Sequence, residues 1–185
     1  MVSLLAFALL LFPGQGQFLV AEENGSPAPS QAARLSRSDK SFLLHAAEEN
    51  QAAIELGQVV ARKGLSASAR NFARSLVAQR SLAQQELAAA ARRVHLILPQ
   101  RLSRSDRKVK QQLEKHSGAP VDHLFLTRMA ADLDRQYGSY EDTAMSTRNP
   151  VVKSYIENLL FDVKRQDQVA KTMAPSENTD SSSEQ

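Results

Sequence analysis

The segment "HAAEE" sets His45 three and four residues before Glu48 and Glu49, a spacing that places an imidazole and two carboxylates on one side of a helix. Those are donor types that can hold a divalent cation. A dimetal centre in a helical bundle, however, draws its imidazoles from Glu-x-x-His pairs on facing helices, and the chain contains no Glu-x-x-His. His45, Glu48 and Glu49 therefore stand as weak metal candidates, with a surface imidazole beside solvated acids as the ordinary reading. His116 and His123 flank Gly118–Pro120, where a turn leaves histidines exposed. His95 stands where a helix closes, and a cation there faces the terminal carbonyls. Asp132, Asp134, Glu141 and Asp142 surround Tyr137 and Tyr140. Without a pocket to separate their pKa values, such acids read as a solvated face pairing with Arg and Lys. No catalytic residue is assigned.

Arg80 is the other chemical feature. It interrupts the cleanest apolar stripe of the chain, Ala69, Phe72, Ala73, Leu76, Val77, Ala83, Leu87, Ala90, Ala91 and Val94. Its guanidinium is expected either to snorkel to a bundle end or to pair inside with an acid or polar group of another helix.

That stripe belongs to the second of four long amphipathic helices. The first is predicted from about Ser38 to Lys63 with Gly64 as its cap, the second from Ser66 or Ser68 to a stop at Pro99. A short helix follows from about Ser105 to His116. The third long helix is expected over Asp122–Arg148, and the fourth after the Asn149–Pro150 start, lined by Val152, Tyr155, Ile156, Leu159, Leu160, Val163, Val169 and Met173. No stretch alternates like a strand. Four such stripes bury one another in an all-α antiparallel four-helix bundle, here expected to have short connections.

"RLSRSD" occurs at Arg34–Asp39 and again at Arg101–Asp106. In each copy a Ser stands three residues before an Asp, which suits a helix start, where hydroxyl and carboxylate serve amides that lack intrahelical partners. The sequences that follow the copies differ, so the repeat is read as two caps rather than a duplication.

Val2–Phe12 is an apolar run of signal-peptide length, ended by Pro13 and Gly14, with no basic residue before it. The expected division is a signal peptide over residues 1–21, cleaved after Gly16 or Ala21, a flexible leader over 22–35, a helical domain over 36–173 and an acidic tail over 174–185. No transmembrane span is expected after signal removal. The chain has no cysteine, which excludes disulfides and thiol catalysis. Lys and Arg number 23 against 20 Asp and Glu, and they are spread over every helix with few aromatics between them, so no nucleic-acid partner is expected.

The segments "SDKSFLLHAAEENQAAIELGQVVARKG", "ARNFARSLVAQR", the "LP" at Leu98–Pro99 and "LEKHSGAPVDHLFL" occur in the order of motifs in a family of exported bacterial proteins, domain of unknown function 4142. The chain resembles that family over about Ser38–Met173. The resemblance implies a ferritin-like bundle with one additional short helix, and a periplasmic or secreted location with outer-membrane association as an option. Where the family's second-helix motif ends in Asp-His, this chain has Gln79 and Arg80. Ala53, Leu133 and Gln166 align with other polar family positions, so the chain resembles a divergent member without the family histidines. Arg80 and Gln166 are the expected isolated buried polar or binding positions. The function implied is a non-catalytic binding or structural component of the envelope, stress-related in its broadest form, with no cofactor and an envelope protein or small ligand as partner. The alternative is a metal-binding or redox ferritin-like protein.

Overall fold

The computed structural model describes residues 34–174. The expected signal, most of the leader and the tail beyond Ala174 lie outside the described residues. The chain forms α1 (Arg37–Lys63), α2 (Ala67–Arg93), α3 (Arg104–Lys115), α4 (Ala119–Ser146) and α5 (Pro150–Met173).

Both copies of the repeat open helices. Ser36 Oγ accepts from Asp39 N at 3.0 Å while Asp39 Oδ2 accepts from Ser36 N at 3.1 Å, a reciprocal capping box on α1. Ser103 Oγ accepts from Asp106 N at 3.1 Å at the start of α3. Asn149 Oδ1 accepts from Val151 N and Val152 N ahead of α5, with Pro150 in the first turn.

Two boundaries differ from expectation. Helix α2 ends at Arg93, well before Pro99, because Leu96 N bonds to Ala91 O at 2.9 Å and His95 N to Arg92 O at 3.3 Å, the paired closure of a Schellman motif. His95 fills its left-handed position with φ 53° where glycine is usual. Helix α4 begins at Ala119, so Pro120 sits in its first turn rather than stopping the preceding helix.

The hairpins α1–α2 and α4–α5 pack side by side. Thr147, past the end of α4, donates to Asp39 at the start of α1 (2.6 Å), and Gly118 N bonds to Lys63 O at the opposite end. Helix α4 is therefore antiparallel to α1 and runs the same way as α2. The chain must travel the length of the bundle between the end of α2 and the start of α4, and α3 lies on that path. This corrects the expectation of short connections throughout: one long crossover joins the hairpins, the ferritin-like arrangement. Around the bundle the order is α1, α2, α5, α4, and each neighbour is antiparallel. Gly57 allows α1 and α2 to approach, since a Cβ there would lie 2.8 Å from Val77 Cγ2 and 3.3 Å from Ala73 O.

At the crossover's far end, Asp122 accepts from Leu65 N (3.0 Å) and Ser66 N (2.8 Å), fastening the α1–α2 turn to α4. A buried carboxylate replacing water on two amides is a charge-assisted contact. Asp122→Ala is expected to lower stability by about 2 kcal/mol, since two donors lose their acceptor. Urea denaturation checks it; an unchanged midpoint would show that the turn holds itself.

Two stripe positions shift by one residue. Gln136 is buried where Tyr137 was expected, and Ala170 is buried while Val169 is exposed.

Candidate functional site

The core is split in two. One apolar cluster gathers Leu56, Val60, Phe72, Leu76, Phe125 and Met129; the other gathers Phe42, Leu43, Leu87, Tyr140, Tyr155 and Ile156. At the level between them every long helix contributes buried polar groups: Asn50 from α1, Arg80 from α2, Gln136 from α4, and Gln166 and its neighbour Asp167 from α5, the last paired with Lys171. The two expected isolated positions, Arg80 and Gln166, are thus members of a polar belt, and Asn50 and Gln136 are members that sequence reasoning missed. A signal existed for both. Asn50 falls four residues after Ala46 and three before Ala53, and Gln136 three after Leu133 and four before Tyr140, each on the apolar stripe of its helix.

The belt is cross-linked. Gln136 Nε2 donates to Glu49 Oε2 at 2.9 Å, joining α4 to α1. Asn50 Nδ2 lies 3.4 Å from both Gln84 Oε1 and Tyr155 OH, reaching α2 and α5. The hydroxyls of Tyr140 and Tyr155 are 3.3 Å apart, and Gln166 Nε2 donates to Gln79 Oε1. Burial pushes both phenols up, Tyr140 furthest, so they remain neutral hydroxyls.

Arg80 departs from its expected behaviour. It neither snorkels nor satisfies itself inside: it is 2% exposed, and its Nε and Nη2 have no hydrogen-bond partner. Burial lowers its pKa, opposed by the charge of Glu49 among others. A guanidinium still stays protonated, so this is a buried cation.

Arg80 reaches a cavity of about 150 Å³ between α1 and α4, beside the start of α3. His45, Glu48 and Glu49 line it from α1, and Asp106, Arg128, Asp132, Arg135 and Gln136 from α3 and α4. Ala53 and Leu133, two of the positions expected to stand where the resembled family carries polar residues, lie on its wall as well. Gln166 faces a different groove, between α2 and α5.

Charges within the cavity sort into pairs. Arg128 bonds Asp106 at 2.7 Å and also Asp132, which takes Arg135 too. Asp134 pairs with Lys171 at 2.5 Å, and Glu141 accepts from Tyr137. Asp132 and Asp134 thus pair with cations, as a solvated face should, while Glu141 and Asp142 have no ion pair among the described residues. His45 is exposed, its Nδ1 3.4 Å from Ser41 Oγ rather than turned to Glu48 or Glu49. His116 and His123 are exposed. Among the described residues no group of three His, Cys, Asp or Glu side chains is placed to hold a metal ion.

Glu49 remains. Burial pushes its carboxyl above the ordinary 4.5, and the Gln136 hydrogen bond and the Arg80 charge only partly offset this. The unfolded chain loses this proton first as pH rises, so the native state is penalised progressively through the folded pKa and fully above it. Glu49→Gln should therefore gain thermal stability over the wild type as pH increases from 4 to 7, with the two closest at the acid end. A difference that shrinks toward neutrality would show that Arg80 overcomes the burial.

The topology and belt define a ferritin-like helical bundle with a polar level at its centre that holds a buried guanidinium. The chain belongs to the family whose model, described as Domain of unknown function (DUF4142), matches residues 24–173. No curated protein and no solved structure matches it.

Proposed function

We propose that this protein is a non-catalytic, exported component of the cell envelope that acts by binding a small polar ligand in the α1–α4 cavity. One observation carries the reading: Arg80, a buried cation whose Nε and Nη2 have no hydrogen-bond partner, is among the residues that line a cavity. A buried charge left without contacts costs stability, and binding sites are where such arrangements concentrate. Belt groups that could transfer protons, Tyr140 and Tyr155, are held neutral behind apolar walls, which favours binding over catalysis. The apolar run Val2–Phe12 supports export, and no helix among the described residues is long and apolar enough to cross a membrane. A role in envelope stress is the broadest form of the same proposal.

Cell fractionation with N-terminal sequencing tests the location. The protein is expected in the envelope fraction, beginning between Gln17 and Glu22; intact Met1 in the cytoplasm would overturn export. Dialysis after incubation with ferrous iron or manganese separates this reading from a metal-binding one. Retention should be substoichiometric. Two ions held per chain and lost on His45→Ala or Glu49→Ala would replace it.

A further inference from the structure

The two ends of the bundle use their cations differently. At one end α2 and α4 finish and α1 and α5 begin, with Thr147 donating to Asp39. Arg34, Arg37 and Lys40 around the start of α1, Arg92 and Arg93 at the close of α2, and Arg148 ahead of α5 are all exposed there. None of them makes an ion pair among the described residues. At the opposite end Lys63 donates to the carbonyls of Glu114 and His116, Arg70 to those of Gly64 and Leu65, and Lys171 pairs with Asp134 and Asp167. Helix stability does not account for the unpaired set. Cations in a last turn favour its carbonyls, which covers Arg92 and Arg93, but Arg34, Arg37, Lys40 and Arg148 stand at helix starts, where the dipole opposes positive charge. Nearby acids offset little: Asp39 is buried in the capping box and accepts from Thr147, and Asp142 lies about a turn before the end of α4.

Apolar side chains project among these charges. Leu96 and Leu98 pack against the apolar cluster at this end, whereas Ile97 between them is 91% exposed. Met145, in the last turn of α4, is 79% exposed. Arg34 and Arg148 line one groove of about 520 Å³ together with Ser36, Ser38, Ser146 and Thr147, whose hydroxyls can donate to phosphate oxygens. We propose that this end docks on an anionic phospholipid surface, its arginines on the headgroup phosphates and Ile97 and Met145 in the interface beneath them. Charge complementarity selects an anionic partner, and cations around projecting aliphatic side chains match headgroups over acyl chains. Nucleic-acid bases call instead for aromatic platforms, and no Phe, Tyr or Trp occurs in 34–41, 90–98 or 143–154. The apolar run Val2–Phe12 joins the described chain at this same end. The docking face does not rest on the α1–α4 cavity.

The test is flotation of the mature protein with vesicles of phosphatidylglycerol and phosphatidylethanolamine, against vesicles of phosphatidylcholine alone. The protein should float with the first and not with the second, and release as salt rises from about 0.05 to 0.5 M, because screening shortens the reach of exposed charges. One cation at an anionic surface is worth about fivefold in affinity, so the Arg92→Gln, Arg93→Gln double variant should bind at least about tenfold more weakly. Ile97→Ser should cost about fivefold. The matched charge loss at the opposite end, Arg62→Gln with Lys115→Gln, both exposed, should leave binding nearly unchanged. Unaltered thermal melting of each variant shows that binding, not folding, was removed. No flotation with the anionic vesicles, or equal weakening by the two charge pairs, would overturn the docking face. Tighter binding to duplex DNA than to vesicles, with the same dependence on Arg92 and Arg93, would overturn lipid as the partner.

Discussion

Leu76→Asp is expected to abolish the folded state. Leu76 is 1% exposed in the middle of α2, packed in the cluster that holds Leu56, Phe72, Phe125 and Met129. The change removes the transfer free energy of a buried leucine, about 2–3 kcal/mol, and buries a carboxylate in its place at several kcal/mol more, a cost that the Arg80 charge one turn on offsets only in part. The sum is comparable with the whole stability of an ordinary domain, about 5–15 kcal/mol. Circular dichroism should show lost helix or a melting transition far below the wild type. The matched control is Gln85→Asp, exposed on the same helix, which should stay within about 0.5 kcal/mol of wild type. Equal melting of the two variants would mean that α2 does not pack as described.

The position of Leu76 was legible because α2 repeats its apolar residues on one stripe over seven turns, with Ser66 to start it. Helix starts were legible for the same local reason: Ser36, Ser103 and Asn149 cap with chemistry that needs no tertiary context. Ends were harder. Nothing at Val94–Leu96 announces a stop, since the closure there puts a histidine where glycine is the usual signal, and the visible proline comes later. The crossover was hidden too, because short polar connections and a long traverse containing a short helix look alike until it is known where α4 begins.

The site was half legible for a different reason. Arg80 interrupts an apolar stripe and is conspicuous in any one helix. Gln136 is adjacent to Tyr137, and both lie near the stripe that runs from Leu133 to Tyr140; hydrophobicity favours the tyrosine, whereas the structure buries the amide because Glu49 stands across from it. That choice depends on a residue 87 positions away, and no pattern within one helix contains it. The same holds for the absence of a contact: sequence patterning argued that a buried arginine would find a partner, and only the packed bundle shows two of its nitrogens without one.

From that unmet pairing comes the last prediction, that Arg80→Met makes the protein more stable while removing its binding function. Methionine is unbranched and flexible and can follow the path of the arginine's aliphatic stem between the two apolar clusters. Removing the head group relieves the desolvation of a cation that receives only through-space help from carboxylates such as Glu49. Exchanges of buried ionic groups for apolar ones of similar volume gain about 1–4 kcal/mol, and for a domain of this size each kcal/mol raises Tm by about 2–4 °C. Glu49 then loses the offsetting charge of Arg80 and keeps only the Gln136 hydrogen bond, so the gain should be larger in the Arg80→Met, Glu49→Gln double variant than in the single one at pH 7. A calorimetric Tm below the wild type for both would show that the belt holds Arg80 as a structural partner. A rise in both would show that the polar belt is maintained against the interest of stability, and a charge kept at such cost in the wall of a cavity has its use in what the cavity holds.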